Sequence, residues 1–254
     1  MELKGSVGIV TGGATGIGRA VSLELARAGA QGVVVNYSRS AADATSTVAE
    51  LSALGVEGLP IKADVSHEVE VKAMVEQAAK HFGRLDVLVN NAGTTRFIPF
   101  PDLDAVTDEV WQQILGVNLM GTWYTSRAAA PHLRRSKGCI VNIASIAALR
   151  ASGSSIPYGV SKAAIDQLTR ALAVALAPDV RVNAVNPGLV STRWFRQPFG
   201  EDAAAAQEAA LAKRTPLQAV ATPEQVAQAV MGFIRSDLVT GQHLVVDGGL
   251  NVTY

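Results

Sequence analysis

The 254-residue sequence contains a single cysteine, so it can form no disulfide within the chain and gives no support for secretion. Neither charge is in excess: 22 Lys and Arg residues balance 22 Asp and Glu residues, so no overall field attracts nucleic acid or anionic lipid. No apolar run reaches the roughly 18–20 residues that a membrane span requires. The histidines show no metal-ligand spacing; they are His67, His81, His132 and His243. We therefore expect a soluble, cytoplasmic protein that binds a small molecule and involves no metal, nucleic acid or membrane.

What the sequence does contain is short β-branched runs that alternate with longer segments of helical periodicity, the pattern of parallel βαβ units. Apolar runs predict seven strands, at 6–11, 32–37, 56–63, 85–90, 138–144, 180–185 and 243–247. Periodic segments predict helices at 17–29, 40–54, 67–82, 104–133, 157–177 and 222–235. Several strands are apolar at nearly every position, as strands buried on both faces must be. The sequence thus predicts an α/β fold in one doubly wound domain, residues 1–254, whose seven-stranded parallel sheet carries helices on both faces.

Residues 190–216 interrupt this alternation with aromatic residues, arginines and an alanine-rich helical stretch. An insertion of this length in a compact domain is usually functional. We expect this segment to form a lid over the substrate.

Three glycines, Gly12, Gly16 and Gly18, follow the first predicted strand and open the first helix. Glycine permits a tight turn and close approach of the backbone to a diphosphate, while the helix N-terminus offers unpaired N–H groups. Glycines also mark ordinary turns, but the strand before them and the helix after them favour a phosphate cradle of the Rossmann type.

Tyr158 and Lys162 are four residues apart in a predicted helix, so their side chains share one face. A free phenol has a pKa near 10, and a neighbouring cation favours the phenolate. The pair is a candidate acid–base couple, although such pairs also occur on ordinary helix surfaces.

Ser145 follows the fifth predicted strand, at the sheet edge where open α/β folds bind ligands. Its hydroxyl is a candidate donor to a substrate oxygen that gains negative charge, and the alternative is a simple cap on the next turn. Asn118 lies among apolar neighbours in a predicted helix, where a buried amide must find partners. The sequence NNAG at 90–93 also ends a strand.

In order and approximate spacing, these motifs resemble the short-chain dehydrogenases/reductases in their single-domain form, over essentially the whole chain. Residues 11–18 match the family's TGxxxGxG motif, Asp64 and Val65 its adenine-side contact, 90–93 its NNAG motif and 186–188 its nicotinamide-side turn. Among members of the family, the chain most resembles the 3-oxoacyl-(acyl-carrier-protein) reductases. The resemblance implies a catalytic tetrad of Asn118, Ser145, Tyr158 and Lys162.

The resemblance implies reversible hydride transfer between a nicotinamide dinucleotide and a carbonyl or alcohol carbon. Tyr158 would be the acid and base, and Ser145 would hydrogen-bond the reacting oxygen. Lys162 would bind the nicotinamide ribose and lower the pKa of Tyr158, while Asn118 would hold a water molecule. The closing segment 241–254 matches a strand that lies at a subunit interface in relatives, which implies a homotetramer.

The end of the second strand favours NADP(H), with NAD(H) as the alternative. Folds that prefer NAD place an acidic residue about 20 residues past the glycine loop. Nineteen residues past Gly18 this chain has Tyr37, followed by Ser38 and Arg39. A carboxylate repels a 2′-phosphate, whereas serine and arginine bind one.

The residue patterns and the resemblance together give the candidate cofactor-binding residues. They are Gly12, Thr15, Gly16, Ile17, Gly18, Tyr37, Ser38, Arg39, Asp64, Val65, Asn91, Ala92, Gly93, Tyr158, Lys162, Pro187, Gly188 and Val190.

The segments expected at the open end of the site are rich in apolar side chains. These are Phe97, Ile98, Ile146, Leu149, Leu189, Trp194, Phe195 and Phe199. If they line the pocket, they favour a 3-oxoacyl, cyclic or aromatic ketone over a sugar or polyol, and the alternative is that the aromatic residues pack the lid to its own domain. A basic run, Arg134, Arg135 and Lys137, leaves open an acyl carrier protein as partner.

Two other functions remain to be weighed. A non-catalytic redox sensor or scaffold is disfavoured by the intact tetrad. An epimerase or dehydratase is disfavoured because the chain has no separate C-terminal domain for a nucleotide-sugar.

Overall fold

The structure is a computed structural model and describes residues 1–253. In this range the strands are β1 Val7–Val10, β2 Gly32–Tyr37, β3 Glu57–Lys62, β4 Val87–Asn90, β5 Cys139–Ile143, β6 Arg181–Pro187 and β7 His243–Val246. The α-helices are α1 Gly16–Arg27, α2 Ala41–Ala53, α3 Glu68–Phe82, α4 Asp108–Leu115, α5 Gly121–Ser136, α6 Ile156–Leu176, α7 Arg193–Phe199, α8 Glu201–Ala212 and α9 Pro223–Arg235. The seven predicted strands are confirmed, with each end within two residues of its expected position.

The strands form one parallel sheet in the order β3-β2-β1-β4-β5-β6-β7. From β1 the chain first moves outward through β2 to β3 and then returns to pair β4 with the other side of β1. In open α/β sheets, ligands bind outside the carboxyl ends of the strands at such a reversal. The ends of β1 and β4, at Val10 and Asn90, therefore mark the place where a site is to be sought.

The sheet is covered by helices on both faces, which gives two layers of buried apolar side chains. On one face Leu25 of α1 and Ile234 of α9 pack against strand valines. On the other, Met74 of α3, Leu133 of α5 and Leu172 of α6 do the same. Because β1, β4 and β5 are buried along their whole length, their near-continuous apolar sequences follow from burial on both faces. The predicted doubly wound architecture is confirmed.

The single helix expected over 104–133 differs from what the structure contains. The helix begins only at Asp108, because the backbone of Thr107 is extended. After α4 the chain makes a five-residue π-helical turn, Gly116–Met120, and continues as α5 to Ser136. Such wide turns occur mostly as single interruptions of α-helices and frequently mark functional sites. Asn118 lies in this turn and is fully buried.

The interruption expected at 190–216 contains two helices, α7 and α8, joined at Gly200, whose φ of +80° suits glycine. Within the segment, Arg196 donates to Ser191 and pairs with Glu208 and Glu201. These contacts hold the two helices together as one unit. Between residues 1 and 253, no helix has the length and apolarity needed to cross a membrane.

Candidate active site

The glycine loop connects β1 to α1 and depends on its glycines for two different reasons. Gly12 and Gly16 have φ of +60° and +52°, a region that costs other residues energy. Gly18 is required by packing, since a Cβ there would lie 2.2 Å from the carbonyl oxygen of Gly12. The loop therefore leaves a concave backbone surface at the N-terminus of α1, which suits a diphosphate.

Thr11 joins the glycine loop to the end of β4. Its Oγ1 accepts hydrogen bonds from the backbone N–H groups of Asn91 at 2.9 Å and Ala92 at 3.0 Å. The side chain of Asn91 in turn donates to the carbonyl oxygens of Thr11 and Gly12 at 3.0 and 3.1 Å. The predicted motifs at 11–18 and 90–93 are thus brought together at the point where the strand order reverses.

Asn36, which is not among the predicted site residues, fixes the loop to β2 and the end of β3. Its Oδ1 accepts from the N–H of Gly12 at 3.2 Å, and its Nδ2 donates to the carbonyl oxygens of Ile61 and Ala63. A buried asparagine at the end of an otherwise apolar strand was the available signal.

The candidate residues for the adenosine half follow β2 and β3. Ser38 and Arg39 are exposed beyond the end of β2, and Tyr37 is half-buried. Asp64 accepts from the Ser66 hydroxyl at 2.7 Å and the Ser66 N–H at 2.9 Å. Burial raises the pKa of Asp64, but these two bonds, with the charges of His67 and Arg39, outweigh it and lower the pKa below its usual value. Arg39 is therefore close enough to act electrostatically on this carboxylate.

Tyr158 and Ser145 meet at the carboxyl edge of the sheet. Ser145 follows β5, and Tyr158 lies in the first turn of α6. Ser155 caps the start of this helix, because its hydroxyl accepts a hydrogen bond from the N–H of Tyr158. Desolvation raises the pKa of Tyr158 to about 12, and hydrogen bonding with the Ser145 hydroxyl opposes this rise. The Tyr158 phenol is therefore protonated at neutral pH. Ser145 Oγ also accepts from the N–H of Ala147 at 3.2 Å, so it does cap the next turn.

Lys162 is 4% exposed and donates from Nζ to the carbonyl oxygen of Ile143 at 2.8 Å. Its Nζ lies 5.7 Å from the centre of the Tyr158 ring. Burial lowers the pKa of Lys162 to about 8, partly offset by the charge of Asp166. Burial is the larger influence on the phenol, and the lowering of the Tyr158 pKa by Lys162 stays a prediction.

Both polar atoms of the Asn118 side-chain amide form hydrogen bonds. Its Oδ1 accepts from the N–H of Thr94 at 2.8 Å, and its Nδ2 donates to Ser161 Oγ at 2.9 Å and to the Thr94 carbonyl oxygen at 3.1 Å. Ser161 donates in turn to the carbonyl oxygen of Tyr158. The π-helical turn thus connects the chain after β4 to the first turns of α6.

Gly93 shows how closely these groups converge. A Cβ on Gly93 would lie 3.5 Å from Asn118 Oδ1 and 3.8 Å from Lys162 Nζ. Together with the influence of the Ser145 hydroxyl on the Tyr158 phenol, this brings all four candidate catalytic residues to one edge of the sheet, beside the glycine loop.

A second buried amide, that of Asn186 in β6, holds the backbone of Ser145 in place. Its Nδ2 donates to the Ser145 carbonyl oxygen at 3.2 Å and to Asp166 Oδ2 at 2.9 Å. Asn186 was predicted only as part of the turn motif at 186–188. The signal was again a buried polar residue within an apolar strand.

The turn after β6 carries the last predicted cofactor-binding residues. Pro187 ends β6, and Gly188 lies against Asp247, where a Cβ would approach the Asp247 Cβ to 2.8 Å. Val190 forms a parallel bridge with Ala221. Thr192, which was not among the predicted residues, lies 3.4 Å from the Cβ position of Gly16. The start of the 190–216 segment therefore reaches the glycine loop.

A cavity of about 590 Å³ opens beside Tyr158. Its lining is mostly apolar: Thr95, Arg96, Phe97, Ile98, Ala105, Val110, Trp194, Gln197 and Pro198. The Trp194 ring centre lies 6.1 Å from that of Tyr158. Three predicted pocket residues thus line this cavity.

Phe199 instead packs against Phe97 at 4.9 Å and Phe195 at 5.4 Å, between ring centres. These aromatic contacts hold α7 to the loop after β4. They are of the kind expected if the aromatic residues pack the 190–216 segment to its own domain.

The arrangement provides a phosphate cradle, a protonated phenol with a serine hydroxyl beside it, and a buried amine, all at the edge of an apolar cavity. Over the described part of the chain, no group of three or more His, Cys, Asp or Glu side chains is placed to hold a metal ion. These are the parts that proton transfer to a carbonyl oxygen requires when hydride comes from a dinucleotide.

Comparison with known proteins identifies the family. The family model described as enoyl-(acyl carrier protein) reductase matches residues 12–251. The chain belongs to the short-chain dehydrogenase/reductase family and is an oxidoreductase.

Two curated relatives and one solved structure illustrate the range. A protein of the granaticin polyketide synthase of Streptomyces violaceoruber, named as ketoacyl reductase 2, is 48% identical over 97% of this chain and 96% of its own. The 3-oxoacyl-(acyl-carrier-protein) reductase of Thermotoga maritima is 37% identical over 98% of this chain and 99% of its own. A short-chain dehydrogenase from Burkholderia cenocepacia, solved in complex with NADP, is 36% identical, covers 99% of this chain and 100% of its own, and has a TM-score of 0.88.

Proposed function

We propose that this protein is an NADPH-dependent ketoreductase that reduces an apolar ketone, of 3-oxoacyl, cyclic or aromatic type, to a secondary alcohol. The observation that carries the proposal is the meeting of Ser145, Tyr158 and Lys162 between the glycine loop and an apolar cavity. The same site runs the reaction in reverse when the alcohol is supplied.

The roles of the residues follow from their chemistry. The dinucleotide, when bound, supplies the hydride to the carbonyl carbon. Tyr158 gives its phenolic proton to the carbonyl oxygen, while Ser145 donates a hydrogen bond to that oxygen as negative charge develops on it. Lys162 would hold the nicotinamide ribose by a hydrogen bond from its amine, and its charge would stabilise the phenolate that proton transfer leaves on Tyr158. Asn118 holds a water molecule that returns a proton from solvent.

The preference for NADPH rests on the end of β2. Ser38 and Arg39 are exposed there and the position of the usual acid is held by Tyr37, so a 2′-phosphate meets a cation and a hydroxyl. The relative that was solved with NADP agrees with this choice.

The substrate class rests on the cavity lining. Phe97, Ile98, Val110 and Trp194 offer area for an acyl chain or a ring system and few groups for sugar hydroxyls. The relative that is named as a ketoacyl reductase of a polyketide synthase supports the 3-oxoacyl class among these ketones. A sugar or polyol would require a denser set of hydrogen-bonding side chains.

We further propose that residues 1–254 form a single cytoplasmic domain that assembles as a homotetramer, with 190–216 as its lid. The analogy with family members supports the assembly, and light scattering of the purified protein measures it directly.

The decisive experiment measures NADPH and NADH oxidation against 3-oxoacyl thioesters, cyclic and aromatic ketones, and NADP⁺ reduction with sugars. We expect turnover of the ketones with NADPH. Tyr158→Phe should retain at most a few per cent of kcat and bind NADPH with nearly unchanged Kd, while Tyr124→Phe, an α5 tyrosine beside Arg127, should behave as wild type.

Other outcomes of this experiment would contradict the proposal. Oxidation of sugars alone would overturn the substrate class. Dinucleotide binding without turnover of any substrate would favour a sensor.

A further inference from the structure

An ion pair joins the first residue of α7 to the first turn of α2. Arg193 Nη2 lies 2.7 Å from Asp43 Oδ2, and Nη1 lies 3.3 Å from Oδ1, so each nitrogen donates to a different oxygen. The two residues are 150 positions apart in the sequence. The pair connects the 190–216 segment to the helix that follows the adenosine half of the site.

The segment that carries this pair also approaches the glycine loop. Thr192, the residue before Arg193, has a methyl group 3.4 Å from the position that a Cβ on Gly16 would take, and Asp43 follows Arg39 by four residues at the start of α2. The start of α7 therefore lies near the loop on one side and is tied to α2 on the other. The side chains of Arg193 and Asp43 are 61% and 35% exposed, so the pair adds little to folding stability and can open readily.

The remaining contacts of α7 point in other directions. Arg196 pairs with Glu208 inside the same segment, and Phe199 and Trp194 contact the substrate side at Phe97 and Tyr158. Arg193 is therefore the residue that extends α7 to the adenosine half. Its charge also neutralises the acid nearest to Arg39 in the sequence, which favours an anion beside Arg39.

We propose that the Arg193–Asp43 ion pair is a latch that holds α7 closed over the bound dinucleotide and slows its release. The inference rests on the proposed function, because it assumes that the glycine loop holds the dinucleotide. Arg193 is a positioning residue in this role, since it acts by holding α7 in place.

The test is the rate at which NADPH dissociates, measured by stopped-flow fluorescence after displacement with excess NADP⁺. Arg193→Gln and Asp43→Asn should each raise the dissociation rate about fivefold, which corresponds to about 1 kcal/mol. The double variant should be no faster than either single variant, because each already opens the same latch. The charge exchange Arg193→Asp with Asp43→Arg should restore a rate close to wild type.

Salt and a matched pair provide the controls. Raising the salt concentration should speed dissociation from the wild type more than from Asp43→Asn, because salt screens the exposed pair. Arg27→Gln removes the Arg27–Glu24 pair within α1, which has the same 2.7 Å separation and does not reach α7, and should leave the rate unchanged.

The outcomes separate the latch from the function beneath it. Slower dissociation from Asp43→Asn would mean that Arg193, once released, binds the dinucleotide itself, and this would overturn the latch. Unchanged rates in both single variants would overturn the latch while leaving the ketoreductase proposal intact. A wild-type protein that binds neither NADPH nor NADH would overturn both.

Discussion

The ammonium of Lys162 is held by the carbonyl oxygen of Ile143, with 2.8 Å between nitrogen and oxygen, in a site that excludes water from both. This hydrogen bond comes from the end of β5, the strand that Ser145 follows. The amine and the serine are therefore positioned by the same strand end.

The first prediction concerns pH. Burial lowers the pKa of Lys162 to about 8, so raising the pH through 8 removes a cation, whereas the Tyr158 phenol, with a pKa raised to about 12, keeps its proton. We expect kcat/KM for ketone reduction to fall about tenfold per pH unit above pH 8, measured from pH 6 to 10. Lys162→Arg, which keeps its charge, should remove this decline from whatever activity remains. A wild-type profile that stays flat to pH 9.5 would contradict the assignment.

The second prediction concerns Arg39. Replacing Arg39 with alanine removes a cation from the place proposed for the 2′-phosphate, so KM for NADPH should rise at least tenfold and KM for NADH should change little. The matched control is Arg235→Ala, an exposed arginine in the last turn of α9. Equal effects on the two cofactors would show that Arg39 does not bind the phosphate.

The third prediction concerns the glycine loop. A Cβ at Gly18 would lie 2.2 Å from the Gly12 oxygen and 2.6 Å from Asn91 Nδ2. Gly18→Ala should therefore lower stability by about 1–3 kcal/mol and weaken NADPH binding, as measured by thermal unfolding and by fluorescence titration. Gly232→Ala, in α9 with no atom within 4 Å of the new Cβ, should gain up to about 1 kcal/mol and bind normally. Unaltered binding by Gly18→Ala would mean that the loop can shift without cost.

The fourth prediction concerns Cys139 in β5. The thiol is buried and its pKa is raised to about 11 by that burial, so almost no thiolate is available at pH 8. We expect no reaction with Ellman's reagent in native buffer over minutes, and one equivalent after unfolding in guanidinium. Rapid labelling of the native protein would show that β5 opens locally.

Most of the sheet was predictable from the sequence because strands buried on both faces require nearly continuous apolar runs, as in 32–37 and 139–143, each broken by one asparagine. The convergence of Ser145, Tyr158 and Lys162 was predictable because parallel strands end at one edge and helical residues four apart share a face. Both inferences use the spacing of residue types along the sequence, which needs no knowledge of tertiary contacts.

Other features depend on tertiary packing and were not predictable. The Arg193–Asp43 pair joins positions 150 apart, and no local pattern marks two exposed charges as partners. The raised pKa of Tyr158 depends on how much water the surrounding chain removes, which spacing alone does not reveal. The start of α4 at Asp108 was missed because residues 104–107 continue the apolar period without being helical.

The π-helical turn at Gly116–Met120 sets a requirement on the length of the chain. An α-helix advances by about 100° per residue, and a π-helical turn holds one residue more than an α-helical turn, so the sequence positions that face the sheet shift by one residue across it. The buried face of α5, with Thr125 and Leu133, therefore has a different phase from that of α4. If one residue were removed here, either Asn118 would leave the site or the apolar side chains of α5 would no longer face the sheet. A relative that lacks one residue in this segment should therefore have an α-helical turn in place of the π-helical one, and its helix should present different sequence positions to the sheet.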